Sequence, residues 1–210
     1  MRMRKSSIGN NSPYSAAFTG GGFLLEETLN LLPLLLSKER KSLLDDEKIN
    51  NRILHMNAEK SRIRTMAEIE RRFDSLPSSF WGDFKSMSSY DQNISNLYVL
   101  AKTYRIIFDF LFNVVIKKWH STDRKLKKQD LLTELNEISA KDTFVDSWSE
   151  ATKGKVASAF ITILRKAGLV DKDDNLQQIQ PTNPEYYKNI GETWFLEACL
   201  WAPYQIEKVK

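Results

Sequence analysis

Apolar positions recur at intervals of three and four along most of this chain, the repeat of amphipathic helices. In the second half, Leu126, Leu131, Leu132, Leu135 and Ile138 mark one helix, and Phe144, Val145 and Trp148 a short second element. Ala157, Phe160, Ile161 and Leu164 then form the i, i+3, i+4, i+7 stripe of a longer third helix. Ser149 stands where an N-cap belongs, and Gly168 closes this helix as a C-terminal glycine. Beyond it the period changes. Leu169-Val170-Asp171 and Leu176-Gln177-Gln178-Ile179-Gln180 flank the polar turn Lys172-Asp173-Asp174-Asn175, which predicts a small β-hairpin. The order of elements over residues 125–181 predicts a winged helix-turn-helix, a fold that lays one helix into a nucleic-acid groove.

The first half is helical throughout. A helix with Phe23, Leu24, Leu25, Leu29, Leu31 and Leu32 begins at Thr19 or one of the glycines Gly20–Gly22, and Pro33 kinks it or divides it. The triple glycine lacks the Lys-Ser/Thr of a Walker motif and the spacing of a dinucleotide fingerprint, so it reads as a tight helix entry. Residues 38–53 form a second helix. After the turn His55-Met56-Asn57, with Asn57 as N-cap, residues 58–76 form a charged helix that turns Ile63, Met66, Ile69, Phe73 and Leu76 inward. Pro77 ends it. This pair also has helix-turn-helix form, with Lys60, Ser61, Arg62, Arg64 and Thr65 expected to face outward. A solvated charged face interleaved with Glu59, Glu68 and Glu70 is the other reading. Residues 78–85 and 90–104, the latter capped by Asp91, form a connector, and residues 104–119 a helix apolar on most sides, hence central. Near the end, residues 193–201 predict a helix whose aromatics pack on the body.

The fold expected is mostly α: a helical bundle with an N-terminal helix-turn-helix-like region and a C-terminal winged helix-turn-helix with a small β-hairpin. Five regions follow: a disordered tail at 1–12, the helix-turn-helix-like region at 13–77, a helical connector and core at 78–122, the winged-helix region at 123–182, and a C-terminal helical segment at 183–210.

Composition adds a mild bias. The net charge is +4 and the pI about 9.0, compatible with a polyanion partner but equally with an ordinary basic protein. Placement is more telling. Lys117, Lys118, Arg124, Lys125, Lys127 and Lys128 cluster at the entry to the winged-helix region, where they suit phosphate contacts or a solvated helix end. Cys199 is the one cysteine, so no intrachain disulfide forms, and no apolar run follows the basic Met1-Arg2-Met3-Arg4-Lys5; a cytoplasmic location is expected. The apolar runs 23–36 and 106–116 fall short of the roughly 18–20 residues that span a bilayer, which predicts buried helices and no membrane insertion.

Candidate chemistry is sparse. His55 and His120 lie far apart without metal-ligand companions, no nucleophile motif stands out, and Cys199 reads as a packing thiol. A non-enzyme with no catalytic residues, cofactor or metal is expected.

Several blocks carry a family resemblance. They are Tyr14-Ser15-Ala16-Ala17-Phe18-Thr19-Gly20-Gly21-Gly22-Phe23-Leu24-Leu25-Glu26-Glu27, then Glu70-Arg71-Arg72-Phe73 with Leu76, and Tyr104-Arg105-Ile106-Ile107-Phe108-Asp109-Phe110. Further on come Trp148-Ser149-Glu150-Ala151-Thr152-Lys153-Gly154-Lys155 and Ile163-Leu164-Arg165-Lys166-Ala167-Gly168-Leu169. Over residues 14–180 the chain resembles the BrxA family of the bacterial BREX phage-defence system. The resemblance implies an all-helical protein with helix-turn-helix elements, double-stranded DNA binding, no enzymatic activity, and work beside a methyltransferase, an AAA+ protein and other BREX-system proteins. Members have carried an inner-membrane label, against which the hydropathy argues.

The function expected is thus a DNA-binding accessory protein of phage defence. Thr152, Lys153, Lys155, Ser158 and Thr162 lie off the apolar stripe in the N-terminal half of the third helix and are expected to face DNA. Lys125, Lys127 and Lys128 add phosphate contacts, and Lys60, Arg62 and Arg64 a second site. Lysines dominate, so binding is expected to be phosphate-directed and weakly sequence-specific. The alternative is a protein-interaction scaffold, favoured by the acidic turn Asp171, Asp173 and Asp174. A transcriptional regulator ranks third, because no dimerisation coiled coil is visible.

Overall fold

The computed structural model describes residues 11–209; the tail expected at 1–12 lies mostly outside them. A short 3-10 turn at Ala17–Gly20 leads into α1 (Leu25–Leu35), α2 (Arg40–Asn50), α3 (Glu59–Asp74), α4 (Ser78–Ser86) and α5 (Ser89–Thr103). The central rod follows as α6 (Arg105–Phe110), a π turn (Leu111–Val115) and α7 (Ile116–Trp119). Then come α8 (Lys128–Ser139), α9 (Thr143–Asp146) and α10 (Glu150–Ala167), and finally α11 (Pro184–Asn189), α12 (Trp194–Ala198) and α13 (Pro203–Glu207).

The start of α1 explains the glycines. Gly22 has φ +68°, and Leu24, the N-cap, is itself left-handed at φ 49°. A Cβ on Gly21 would stand 2.6 Å from the Leu24 side chain. The bend is pinned by the fully buried Arg72 of α3. Its guanidinium donates to the carbonyls of Gly22 (2.8 Å) and Phe23 (2.9 Å) and to Glu68 Oε1 (3.0 Å), and Asn96 Nδ2 also reaches the Phe23 carbonyl. Tyr104 completes this buried network through a hydroxyl bond to Glu68. Pro33 does not break α1; it is exposed in the last turn.

Two expected caps move. Ser88, not Asp91, caps α5: its hydroxyl accepts from Asp91 N and donates to the Asp91 carboxylate, so Asp91 is the distal half of a capping pair. Ala58 takes the N-cap position of α3 that the sequence assigns to Asn57, and no side chain caps it. Ile63 is 42% exposed rather than inward, because the apolar stripe of α3 runs through Met66, Ile69 and Phe73.

One apolar core runs through the chain. The central rod and α5 lie at its middle, α10 packs on both α5 and α8, and Phe160 meets Phe110 with ring centroids 5.0 Å apart. The C-terminal aromatics join it. Phe195 is fully buried, Trp194 packs among Tyr98, Phe108 and Phe112, and Trp201 Nε1 donates to the Ile179 carbonyl at 2.8 Å.

The β-hairpin is not formed as a sheet. Among the described residues there are two isolated antiparallel bridges, Val170 with Leu176 and Lys125 with Asn175. The second was not legible in the sequence: the segment before α8 joins the far arm of the turn, Leu126 N donating to Asp174 O (2.8 Å) and Leu176 N to Arg124 O (3.0 Å).

Candidate nucleic-acid interface

The long helix α10 begins as its sequence dictates. Ser149 Oγ accepts from Thr152 N at 3.2 Å, and Gly168, at φ +85°, ends the helix in the left-handed region that suits glycine. Position along the helix, however, divides the expected contacts. Lys155 is exposed and forms no ion pair among the described residues. Lys153 is only 6% exposed, with Nζ 3.7 Å from Glu150 Oε1. Two residues rotate a helix by about 200°, so the two lysines cannot share a face. The expectation that Lys153 faces outward is corrected: its stem is part of the packing.

The hydroxyls of this helix are largely committed to their own backbone or cap. Thr152 is half-buried and its hydroxyl meets that of Ser149 at 2.9 Å. Ser158 and Thr162 are exposed, but their hydroxyls donate to the carbonyls of Gly154 (2.9 Å) and Ser158 (3.0 Å). They keep lone pairs to accept with, and a phosphate offers only acceptors.

The entry cluster is similarly sorted. Lys127 Nζ lies 3.2 Å from Asp123, and Lys118 lies 3.6 Å from Asp123 and 3.5 Å from Asp130. The backbone N–H of Lys125, then the Lys127 ammonium, hold the Asp123 carboxyl below the usual carboxylate range. Arg124 stacks over Trp119 at 4.0 Å. Lys125 and Lys128 are exposed and outside these pairs. Lys128 reaches α10: a Cβ built on Gly154 would stand 3.4 Å from its Nζ. The Lys128 ammonium therefore lies against the helix turn that carries Lys155, while the bridge to Asn175 sets Lys125 beside the acidic turn, whose Asp174 pairs with Arg165 in the last turn of α10.

The acidic turn is self-contained. Asp171 accepts from the backbone N–H of Asp173 (2.8 Å) and Asn175 (2.9 Å), and these bonds, Asn175 foremost, hold its carboxyl low. Asp174 pairs with Arg165 of α10. One carboxylate thus shapes the turn and the other neutralises a helix cation, roles that need no partner protein.

In the N-terminal hairpin, Lys60 and Arg64 are exposed as expected. Arg62 is not; it is 6% exposed and clamps the turn, donating to the carbonyls of Lys48 (3.0 and 2.8 Å) and Met56 (2.9 Å). Buried Glu47 does the converse, accepting from the backbone N–H groups of Arg52, Ile53 and Leu54 at 2.9–3.2 Å. Thr65 is also buried. Charged side chains are drawn inward here because a tight turn leaves several backbone groups without partners, and burying such groups unsatisfied is costly. Cys199 is fully buried, and burial pushes its thiol well above the usual range. No helix among the described residues is long and apolar enough to cross a membrane.

Among curated proteins none matches the chain by sequence. The fold is similar to that in a crystal structure of an uncharacterized protein from Magnetospirillum magneticum, with a TM-score of 0.73 over 90% of this chain and 98% of that one. At 19% identity, that likeness is one of fold alone. Residues 12–185 match the family model for BrxA, most of the chain; the chain belongs to the BrxA family, and membership implies a part in BREX-type phage defence.

Proposed function

We propose that the chain is a non-enzymatic duplex-DNA-binding component of that defence system, contacting phosphates more than base edges. The observation that carries this reading is the placement of three lysines that are exposed and form no ion pair among the described residues: Lys128 and Lys155 at the N-terminal half of α10, and Lys125 beside the turn that meets the other end of that helix. Ammonium groups act as point charges toward phosphate and lack the planar fork that reads guanine bidentately. Residues 123–182 are read as a winged helix-turn-helix. In support, segment 124–126 pairs with 174–176 and segment 169–171 with 175–177, from opposite sides, beside a capped helix of recognition length. Lys60 and Arg64 would extend the contact surface.

The test is a salt titration of binding to a random-sequence duplex and to a matched single strand. A steep linear fall of log K with log salt for the duplex supports the reading. Absence of duplex binding at low salt overturns it. The scaffold reading has its own observation: Ile49 is 78% and Ile63 42% exposed on the N-terminal hairpin. Loss of capture by other defence components on I49E, with duplex binding intact, would favour it.

A further inference from the structure

A cavity of about 390 Å³ lies where the α4–α5 corner meets residues 181–187, within the size range of small-ligand sites. Its walls include Asp83, Met87, Asp91, Ser95, Tyr186 and Tyr187, and none of its lining residues belongs to the basic region around α10. Among the described residues that line it there is no lysine, arginine or histidine. A second cavity of about 180 Å³ shares Asp83 and Tyr186 as walls; it is also lined by Lys102, whose ammonium is paired with Glu192 at 2.6 Å.

The groups are not equivalent. Asp91 is held in place, one oxygen accepting from Thr182 N (2.8 Å) and the other from the Ser88 hydroxyl. It supplies fixed negative charge. Tyr187 is held by its hydroxyl contact with Ser95 at 2.8 Å. Asp83 is exposed and forms no ion pair among the described residues. It acts on Tyr186: after burial, the charge of Asp83 and a hydrogen bond to it raise that phenol's pKa. The Tyr186 hydroxyl is shielded from water and lies within reach of the Asp83 carboxylate. The site thus combines a rim carboxylate with no cation partner among the described residues, a second carboxylate fixed in the wall, and two tyrosines, in a partly enclosed space whose lining carries no cation.

We propose that this cavity receives an arginine side chain of a partner protein, its guanidinium set against the Tyr186 ring and bonded to Asp83. A planar, weakly hydrated guanidinium gains from both a carboxylate and an aromatic face, whereas an ammonium sheds its water less readily. The volume exceeds one side chain and leaves room for the backbone that carries it. The assignment does not rest on DNA binding, and it gives the C-terminal segment, which supplies both tyrosines, a role besides packing.

The test is an amide-resolved NMR titration of the full chain with acetyl-Gly-Arg-Gly-amide and with its neutral citrulline counterpart. The arginine peptide should give saturable shifts centred on Ser95, Thr182 and Tyr187, with a Kd on the order of millimolar. Asp83→Asn, at an exposed position, should weaken it roughly tenfold, the scale of one charge-assisted bond. Equal shifts with the citrulline peptide, an unchanged Kd in Asp83→Asn, or shifts centred elsewhere would overturn the assignment. Duplex binding measured on the same variant should be unaltered, so that this site and the DNA-binding reading fail separately.

Discussion

Lys153 and Lys155 provide the sharpest test of the proposed DNA-binding surface, because the same chemical change two residues apart should give opposite signatures. Lys155 is exposed and forms no ion pair among the described residues; Lys153 is 6% exposed with its stem buried. If the Lys155 ammonium meets a phosphate, Lys155→Gln removes one released counterion, and the slope of log K against log salt becomes shallower by about 0.9. Between 50 and 200 mM salt, that corresponds to a change of roughly 3.5-fold in the ratio of wild-type to variant affinity. Removing Lys125, Lys128 and Lys155 together should take about 2.7 from the slope, roughly 40-fold over the same range. Lys153→Gln should leave the slope unchanged and lower stability by about 1–2 kcal/mol through lost packing of the stem. For a chain of this size that is a fall of roughly 2–8 °C in Tm. Fluorescence anisotropy of a labelled random duplex at a series of salt concentrations, with a melting curve for each variant, reads both quantities. A wild-type slope for Lys155→Gln would refute the surface. So would a reduced slope for Lys153→Gln at unchanged Tm. Charge reversal at Lys153 is uninformative about DNA, since it sets a buried carboxylate beside Glu150.

Three further outcomes follow from the packing. Arg72→Met strands Glu68 and the carbonyls of Gly22 and Phe23, and should cost about 3–5 kcal/mol in urea unfolding; a loss under about 1 kcal/mol would show that the network is not holding the glycine bend. Gly154→Ala should gain up to about 1 kcal/mol from helix propensity, because the only close contact of the new methyl is the mobile end of Lys128 at 3.4 Å; a lowered Tm would mean that the Lys128 ammonium is fixed there. Burial, then the hydrogen bond to Asp109, raises the Tyr14 phenol to about 12. Its contribution to stability is therefore complete below the ordinary tyrosine value near 10 and is lost as pH rises from there toward about 12, a step that Tyr14→Phe should abolish in alkaline unfolding curves.

Much of the fold could be read directly from the chain. The stripe Ala157, Phe160, Ile161, Leu164, the Ser149 cap and the Gly168 terminus are local in sequence, and each is set by dihedral preference or by the 3.6-residue period, so α10 is where its pattern puts it. The same holds for the exposure of Lys155 and for the short apolar runs that fail to reach membrane-spanning length. What the period could not decide is which cation turns inward. Arg62 is buried because the carbonyls of Lys48 and Met56 need donors, Arg72 because those of Gly22 and Phe23 do, and Lys153 because α10 is packed on more than one side. Those needs arise only when distant segments meet. The pairing of Lys125 with Asn175 and the meeting of Asp83 with Tyr186 across about a hundred residues are likewise products of tertiary structure. Local sequence settles where most helices lie and, in α10, the caps and the apolar stripe; the choice between a charge that faces solvent and one that completes the interior belongs to the assembled fold, where unsatisfied backbone groups select their partners.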